Sequence, residues 1–104
     1  MTAGMERYHV DYSRKETTYH TPDGRPCVVP MTHVDVPIAA AFSAAQIEAS
    51  VRQSQHGEIM YPQFTRQALG AGCVGYFVQI TGKCVQYFGR NGEVHTEWFP
   101  GATE

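Results

Sequence analysis

The stretch that decides the fold runs from Ala71 to Gly92 and reads AGCVGYFVQITGKCVQYFGRNG. Residues 3–24, AGMERYHVDYSRKETTYHTPDG, match it without a gap at an offset of 68 residues. Seven of the 22 aligned positions are identical, whereas ordinary composition gives roughly one or two. The sequence therefore predicts an internal duplication, in which one structural unit occurs twice.

The second repeat, residues 71–100, has the pattern of a three-stranded meander. One set, Tyr76, Val78 and Ile80, alternates with a second set, Phe77, Gln79 and Thr81, and Val85 and Tyr87 alternate in the same way with Gln86 and Phe88. This period of two is typical of strands. A tight turn is expected at residues 81–84, and Asn91-Gly92 is a strong hairpin signal. A third strand should follow over residues 94–98.

The first repeat, residues 3–30, has the same plan with weaker strand signals at its end. Pro22-Asp23-Gly24 predicts the second turn, because proline presets one backbone angle and glycine tolerates a positive φ. The third strand is short and is bounded by Pro26 and Pro30. Since proline cannot donate to a ladder, we expect this strand at an edge of the sheet.

Two helices are predicted between the repeats, after an extended linker over residues 31–41. The first, residues 43–56, begins with a capping box formed by Ser43 and Gln46. The second, residues 61–70, has a proline in its first turn. We therefore expect one α+β domain over residues 1–104, in which two meanders form an antiparallel sheet covered by two short helices.

The composition excludes several classes of protein. A net charge of −2 gives no basic face for nucleic acid, and no apolar run approaches the ~20 residues of a membrane span. The start of the chain has no signal-peptide pattern. We expect a cytoplasmic protein with no cofactor, no nucleic-acid partner and no membrane association.

The repeat also predicts a homodimer. The second copy follows two helices, whereas the first copy opens at Ala3-Gly4 with no helix before it. Either the unit was shortened there and the two helices cover the whole sheet, or a second subunit supplies the missing cover. The second option is favoured by the aromatic side chains on both faces of the predicted sheet, which need burial on more than one side.

Five short motifs stand out in the second half of the chain: Tyr61-Pro62-Gln63-Phe64, Ala71-Gly72-Cys73, Tyr76-Phe77-Val78, Tyr87-Phe88-Gly89 and Asn91-Gly92. With these motifs the chain resembles a family of small bacterial proteins of unknown function, which includes the YbcV-like and YdfO-like proteins of prophage regions. The resemblance is best over residues 58–100. The motifs consist of aromatic, glycine and turn residues, so the resemblance implies a fold and no chemistry.

Candidate chemistry is sparse. The five histidines and three cysteines have no metal-binding spacing, and a metal site would need strand pairing to bring together His20, Cys27 or His33. A cysteine nucleophile needs a nearby base, and the pair to consider is Cys27 with His95, at equivalent places in the two repeats. Glu97 and the other carboxylates are expected to be solvated.

We therefore expect a small non-enzymatic bacterial protein that binds itself or an unknown protein partner. The alternative is a small-ligand or metal-dependent enzyme with a pocket between the two repeats. An enzyme should have a concave pocket with convergent polar groups, whereas an interaction module should have a flat apolar patch.

Overall fold

The computed structural model describes residues 6–31 and 36–99, which form one six-stranded antiparallel sheet and two helices. The order in space is β3-β2-β1-β4-β5-β6, which confirms the α+β class. Along the chain the elements are β1 (Arg7–Asp11), β2 (Glu16–His20), β3 (Pro26–Pro30), α1 (Ala44–Gln55), α2 (Tyr61–Gly70), β4 (Cys73–Gln79), β5 (Cys84–Gly89) and β6 (Val94–Trp98).

The two meanders meet through their first strands, at the centre of the sheet. β1 pairs with β4, and His9 lies opposite Phe77, the position 68 residues further along the chain. On either side of this pair, Tyr8 faces Val78 and Val10 faces Tyr76. The sheet is thus arranged about an approximate twofold axis at the His9–Phe77 pair, and β3 and β6 become its two edges.

Backbone conformations also recur at the offset of 68 residues. Lys15 and Lys83 have positive φ angles of 57° and 59°, and Gly24 and Gly92 have φ angles of 82° and 85°. Positive φ is uncommon for a residue with a side chain, so the lysine pair is a specific coincidence between the two β-turns. The duplication of the unit stays a prediction, which these coincidences support.

The first helix begins where a side chain caps it. The Gln46 N–H donates to Ser43 Oγ over 3.2 Å, as the predicted capping box requires. The other half of that box is replaced by a tertiary contact, because the Ser43 N–H donates to the Ala71 carbonyl over 2.8 Å. The same bond ties the start of α1 to the chain just before β4.

The second helix is capped from inside its first turn. The Gln63 Oε1 atom accepts a hydrogen bond from the Met60 N–H over 2.7 Å, and Pro62 lies in the first turn. Helix α1 packs against β6 and helix α2 against β4. Both helices therefore lie over the second meander.

The core lies between the helices and one face of the sheet. Its fully buried members include Val10 and Tyr12 from the first meander, Ile47 from α1, and Ala68 and Leu69 from α2. All five residues of β3 are exposed, and β3 is an edge strand, as its prolines predict.

Candidate functional site

The structure does not bring Cys27 and His95 together. Cys27 lies on β3 and His95 on β6, at opposite edges of the six-stranded sheet. Five strand spacings separate these edges, which is roughly 24 Å. The hypothetical pairing of Cys27 with His95 fails because the approximate twofold axis lies between β1 and β4, so equivalent positions on the outer strands lie far apart.

The metal candidates are also separated. His20 is opposite Pro26, whereas Cys27 is opposite Tyr19, so the side chains of His20 and Cys27 lie on different faces of the sheet. His33 lies outside the described residues. Within residues 6–31 and 36–99, no group of three or more His, Cys, Asp or Glu side chains is placed to hold a metal ion.

His95 instead has a buried carboxylate as its partner. Its Nε2 lies 2.7 Å from Glu97 Oε2, two residues along β6 on the same face. The other carboxylate oxygen, Glu97 Oε1, accepts a hydrogen bond from Arg52 Nη1 of α1 over 3.0 Å. Glu97 is only 9% exposed, so the expectation that it is solvated is wrong.

These three side chains line a groove of about 430 Å³ between α1 and the edge strand β6. Glu48, Gln55, Thr96 and Trp98 complete its lining. A carboxylate only accepts hydrogen bonds, so the bond to Glu97 is donated by the Nε2–H of His95. The arrangement fixes the orientation of the His95 ring at the groove.

A second cavity, the tyrosine cleft, lies between the two helices and the sheet. Its volume is about 420 Å³. The lining consists of Tyr8, Val51, Ser54, Gln55, Tyr61, Phe64, Tyr76, Val78, Val85, Tyr87 and Phe99. Tyr8 comes from the first repeat and the other strand residues from the second, so both repeats contribute to the lining of this cleft.

Burial keeps three of the tyrosine hydroxyls of the cleft in their neutral form. Burial raises the pKa of Tyr8, and it raises the pKa of Tyr76 well above the usual range. Burial also raises the pKa of Tyr87. The Tyr61 and Tyr76 hydroxyls lie 3.0 Å apart and share a hydrogen bond.

The side of the sheet away from the helices, called the outer face, has a different character. Side chains alternate between the two sides of a strand, so the neighbours of the cleft-lining strand residues lie on this face. Its central pair, His9 and Phe77, stacks with ring centroids 4.2 Å apart. Phe77 also contacts Phe88 edge to face at 6.0 Å.

Towards β6 the outer face becomes more exposed and combines large apolar side chains with the half-buried polar side chains of Gln86 and Thr96. Val94 pairs with Phe88, and Trp98 pairs with Cys84. Val94 is 51% exposed and Trp98 is 39% exposed. In the described part of the chain no helix lies on this face, because the helix side chains that meet the sheet do so on the cleft side. Sequence reasoning identified these aromatics and left open which face each would occupy.

The fold and these sites define an α+β protein with both described helices on one side of its sheet. The chain belongs to the family DUF1398, described as a protein of unknown function, whose model matches residues 1–97. A search of curated proteins found no match. The particular relation to YbcV-like and YdfO-like prophage proteins stays a prediction. Among the described residues, no helix is long and apolar enough to cross a membrane.

Proposed function

We propose that this protein acts by self-association, with two copies packed through their outer faces. The observation that carries the proposal is the outer face over β4–β6, where Val94 and Trp98 are exposed and Phe77 and Phe88 are half-buried, with no helix over Phe77, Phe88 or Val94 in the described structure. Exposed large apolar side chains grouped on one face are typical of interaction sites.

The outer face is large enough for a small interface. Six strands of about five residues cover roughly 500 Å² in projection, and the part over β4–β6 is about half of that, which is below the ~800 Å² that each partner buries in a standard interface. Two sheets pack face to face at a separation of about 10 Å. A twofold arrangement places the β4–β6 half of one copy against the same half of the other.

Light scattering on the purified chain tests the proposal. A monomer has a mass of 11.6 kDa, and we expect about twice that mass at micromolar concentration. Trp98→Glu, on the outer face, should shift the mass towards the monomer. Val29→Glu is the matched control, since Val29 is 44% exposed on edge strand β3. Val29 pairs with Thr17, and Thr17 pairs with Val10 of the core, so Val29 lies on the helix side of the sheet.

A monomeric wild-type protein at all concentrations would contradict self-association and favour a different protein as the partner of the outer face. A dimer that Val29→Glu breaks and Trp98→Glu does not would place the interface at the β3 edge instead. Far-ultraviolet circular dichroism on both variants separates loss of the interface from loss of the fold.

The alternative, a small-ligand or metal-dependent enzyme, is favoured by one observation. His95 is held by the buried Glu97 carboxylate in a groove, which is how proteins orient a histidine that binds a metal or accepts a proton. Thermal unfolding with zinc and with a chelator tests the metal version. A zinc-dependent rise in Tm that His95→Gln abolishes would support it, and melting curves that coincide would speak against it.

A further inference from the structure

We propose that the tyrosine cleft binds an uncharged, flat aromatic small molecule that carries a hydroxyl or carbonyl oxygen. This inference is independent of self-association, because the cleft lies on the helix side of the sheet and the outer face lies on the other. Three features of the cleft support it: a suitable volume, a lining without charged side chains and a set of aromatic rings.

The cleft has the dimensions of a small-molecule site. Its volume of about 420 Å³ falls within the ~300–1,000 Å³ of ligand pockets. Its walls are mostly apolar, with Val51 and Phe64 from the helices facing Val78 and Val85 from the sheet. Burial of an apolar body between these walls is the expected source of affinity.

The polar groups of the cleft are few and uncharged. None of the lining residues is Asp, Glu, Lys, Arg or His, so an ionic ligand would lose its hydration without gaining a counter-charge. The Tyr61 and Tyr76 hydroxyls bond to each other at 3.0 Å. Each hydroxyl has both a donor and acceptor capacity, so the pair can accommodate one ligand oxygen by donating or accepting a hydrogen bond.

Aromatic rings line the cleft at several angles. Tyr76 and Tyr87 have centroids 5.2 Å apart with planes tilted by 44°, and Phe64 meets Tyr76 edge to face at 89°. A planar aromatic molecule in the cleft would add to this packing by offset stacking and edge-to-face contact. Tyr61 is 53% exposed at the start of α2, and its ring lies at the mouth.

A series of naphthalene probes tests the proposal by isothermal titration calorimetry. The probes are 2-naphthol, which is neutral at pH 7, 2-naphthoate, which is an anion, and 2-naphthylmethylammonium, which is a cation. We expect 2-naphthol to bind at least tenfold more tightly than either charged probe. Tyr61→Phe should lower the affinity for 2-naphthol several-fold, because one hydroxyl of the Tyr61–Tyr76 pair is lost.

A blocking variant locates the binding site. Ser54 lies on exposed surface of α1 at the rim of the cleft, so Ser54→Trp should fill the mouth and abolish 2-naphthol binding. Ala45→Trp is the matched control, on exposed surface of the same helix outside the lining. The proposal is overturned if 2-naphthol shows no saturable binding, if a charged probe binds as tightly, or if Ser54→Trp retains the wild-type affinity.

Discussion

At the residue scale, Glu97 shows how a carboxylate can be buried on an edge strand. Its two oxygens bond to Arg52 and to His95, and these contacts offset the cost of removing the charge from water. Replacing it by glutamine keeps the shape and removes the charge. We expect Glu97→Gln to lower the free energy of unfolding by about 1–3 kcal/mol, the usual cost of weakening a buried charged hydrogen bond.

Glu48→Gln is the matched control for Glu97→Gln. Glu48 contacts the same Arg52 at 3.5 Å, but its side chain is about half exposed, and exposed ion pairs contribute only about 0–1 kcal/mol. Urea unfolding of both variants measures the difference. Equal losses for the two variants would mean that the burial of Glu97 contributes nothing beyond a surface pair.

Sequence reasoning identified His95 and missed its partner. Nothing about Glu97 as an isolated residue distinguishes it from a solvated carboxylate. The available signal was the alternation of β6, since His95 and Glu97 are two residues apart and share a face. Arg52 also contacts Glu48 one helical turn away, as the i,i+4 spacing favours. Its contact with Glu97 depends on α1 crossing β6, which is a long-range arrangement that local spacing does not determine.

Two features favour glycine at position 72, a left-handed backbone conformation and the close approach of other backbone atoms. Gly24 has only the first feature, so comparing the two positions separates their effects. Gly72 and Gly24 both have a φ of +82°. A side chain at Gly24 would meet open space, whereas at Gly72 it would overlap the Ala41 carbonyl and Phe42 Cα. Gly24→Ala should cost about 1–2 kcal/mol for the left-handed backbone alone.

Gly72→Ala should cost clearly more than Gly24→Ala in urea unfolding, because backbone atoms cannot move aside as a flexible side chain does. The excess measures how tightly the segment before α1 lies against the start of β4. If both alanine variants lose the same stability, the overlap is relieved without cost and the close approach is not a constraint on the fold.

At the element scale, local signals predicted the strands and helices, whereas the joining of the two meanders required long-range information. The Asn91-Gly92 turn and the two-residue alternation are contained within each repeat. Which strand of one repeat pairs with which strand of the other depends on burial of side chains far apart in sequence. His9 and Phe77 occupy equivalent positions in the two repeats and lie opposite each other. Pairing β1 with β4 about this point therefore gives both repeats the same surroundings.

The N-terminus of α1 offers a test at this scale. Ser43 Oγ caps the helix, and loss of such a cap costs about 1 kcal/mol. We expect Ser43→Ala to lower the free energy of unfolding by this amount. Ser54→Ala on the same helix should be neutral or slightly stabilising, because alanine has the higher helix propensity and Ser54 is exposed. Chemical denaturation in which both variants lose equal stability would contradict a capping role.

At the scale of the whole molecule, the core is unusually rich in buried groups that ionise in alkali. Burial raises the pKa of Tyr12, Tyr76 and Tyr87 above that of a free phenol, and it raises the pKa of the Cys73 thiol to about 11. Above the ordinary pKa values of about 8.5 for a thiol and 10 for a phenol, the unfolded chain releases protons that the folded chain retains. Stability is therefore fully present below this range and falls as pH rises through it.

Tyr12→Phe isolates one contribution to this alkaline loss. The Tyr12 hydroxyl is buried with no hydrogen-bond partner among the described residues, so phenylalanine should keep or raise the stability at pH 7. Between pH 9 and pH 11 the variant should lose less stability than the wild type, because one group no longer ionises on unfolding. Urea unfolding at pH 7, 9, 10 and 11 gives the free energy of unfolding of the wild type and the variant as a function of pH. Equal losses of stability between pH 9 and pH 11 would show that Tyr12 ionises equally easily in the folded and unfolded chains.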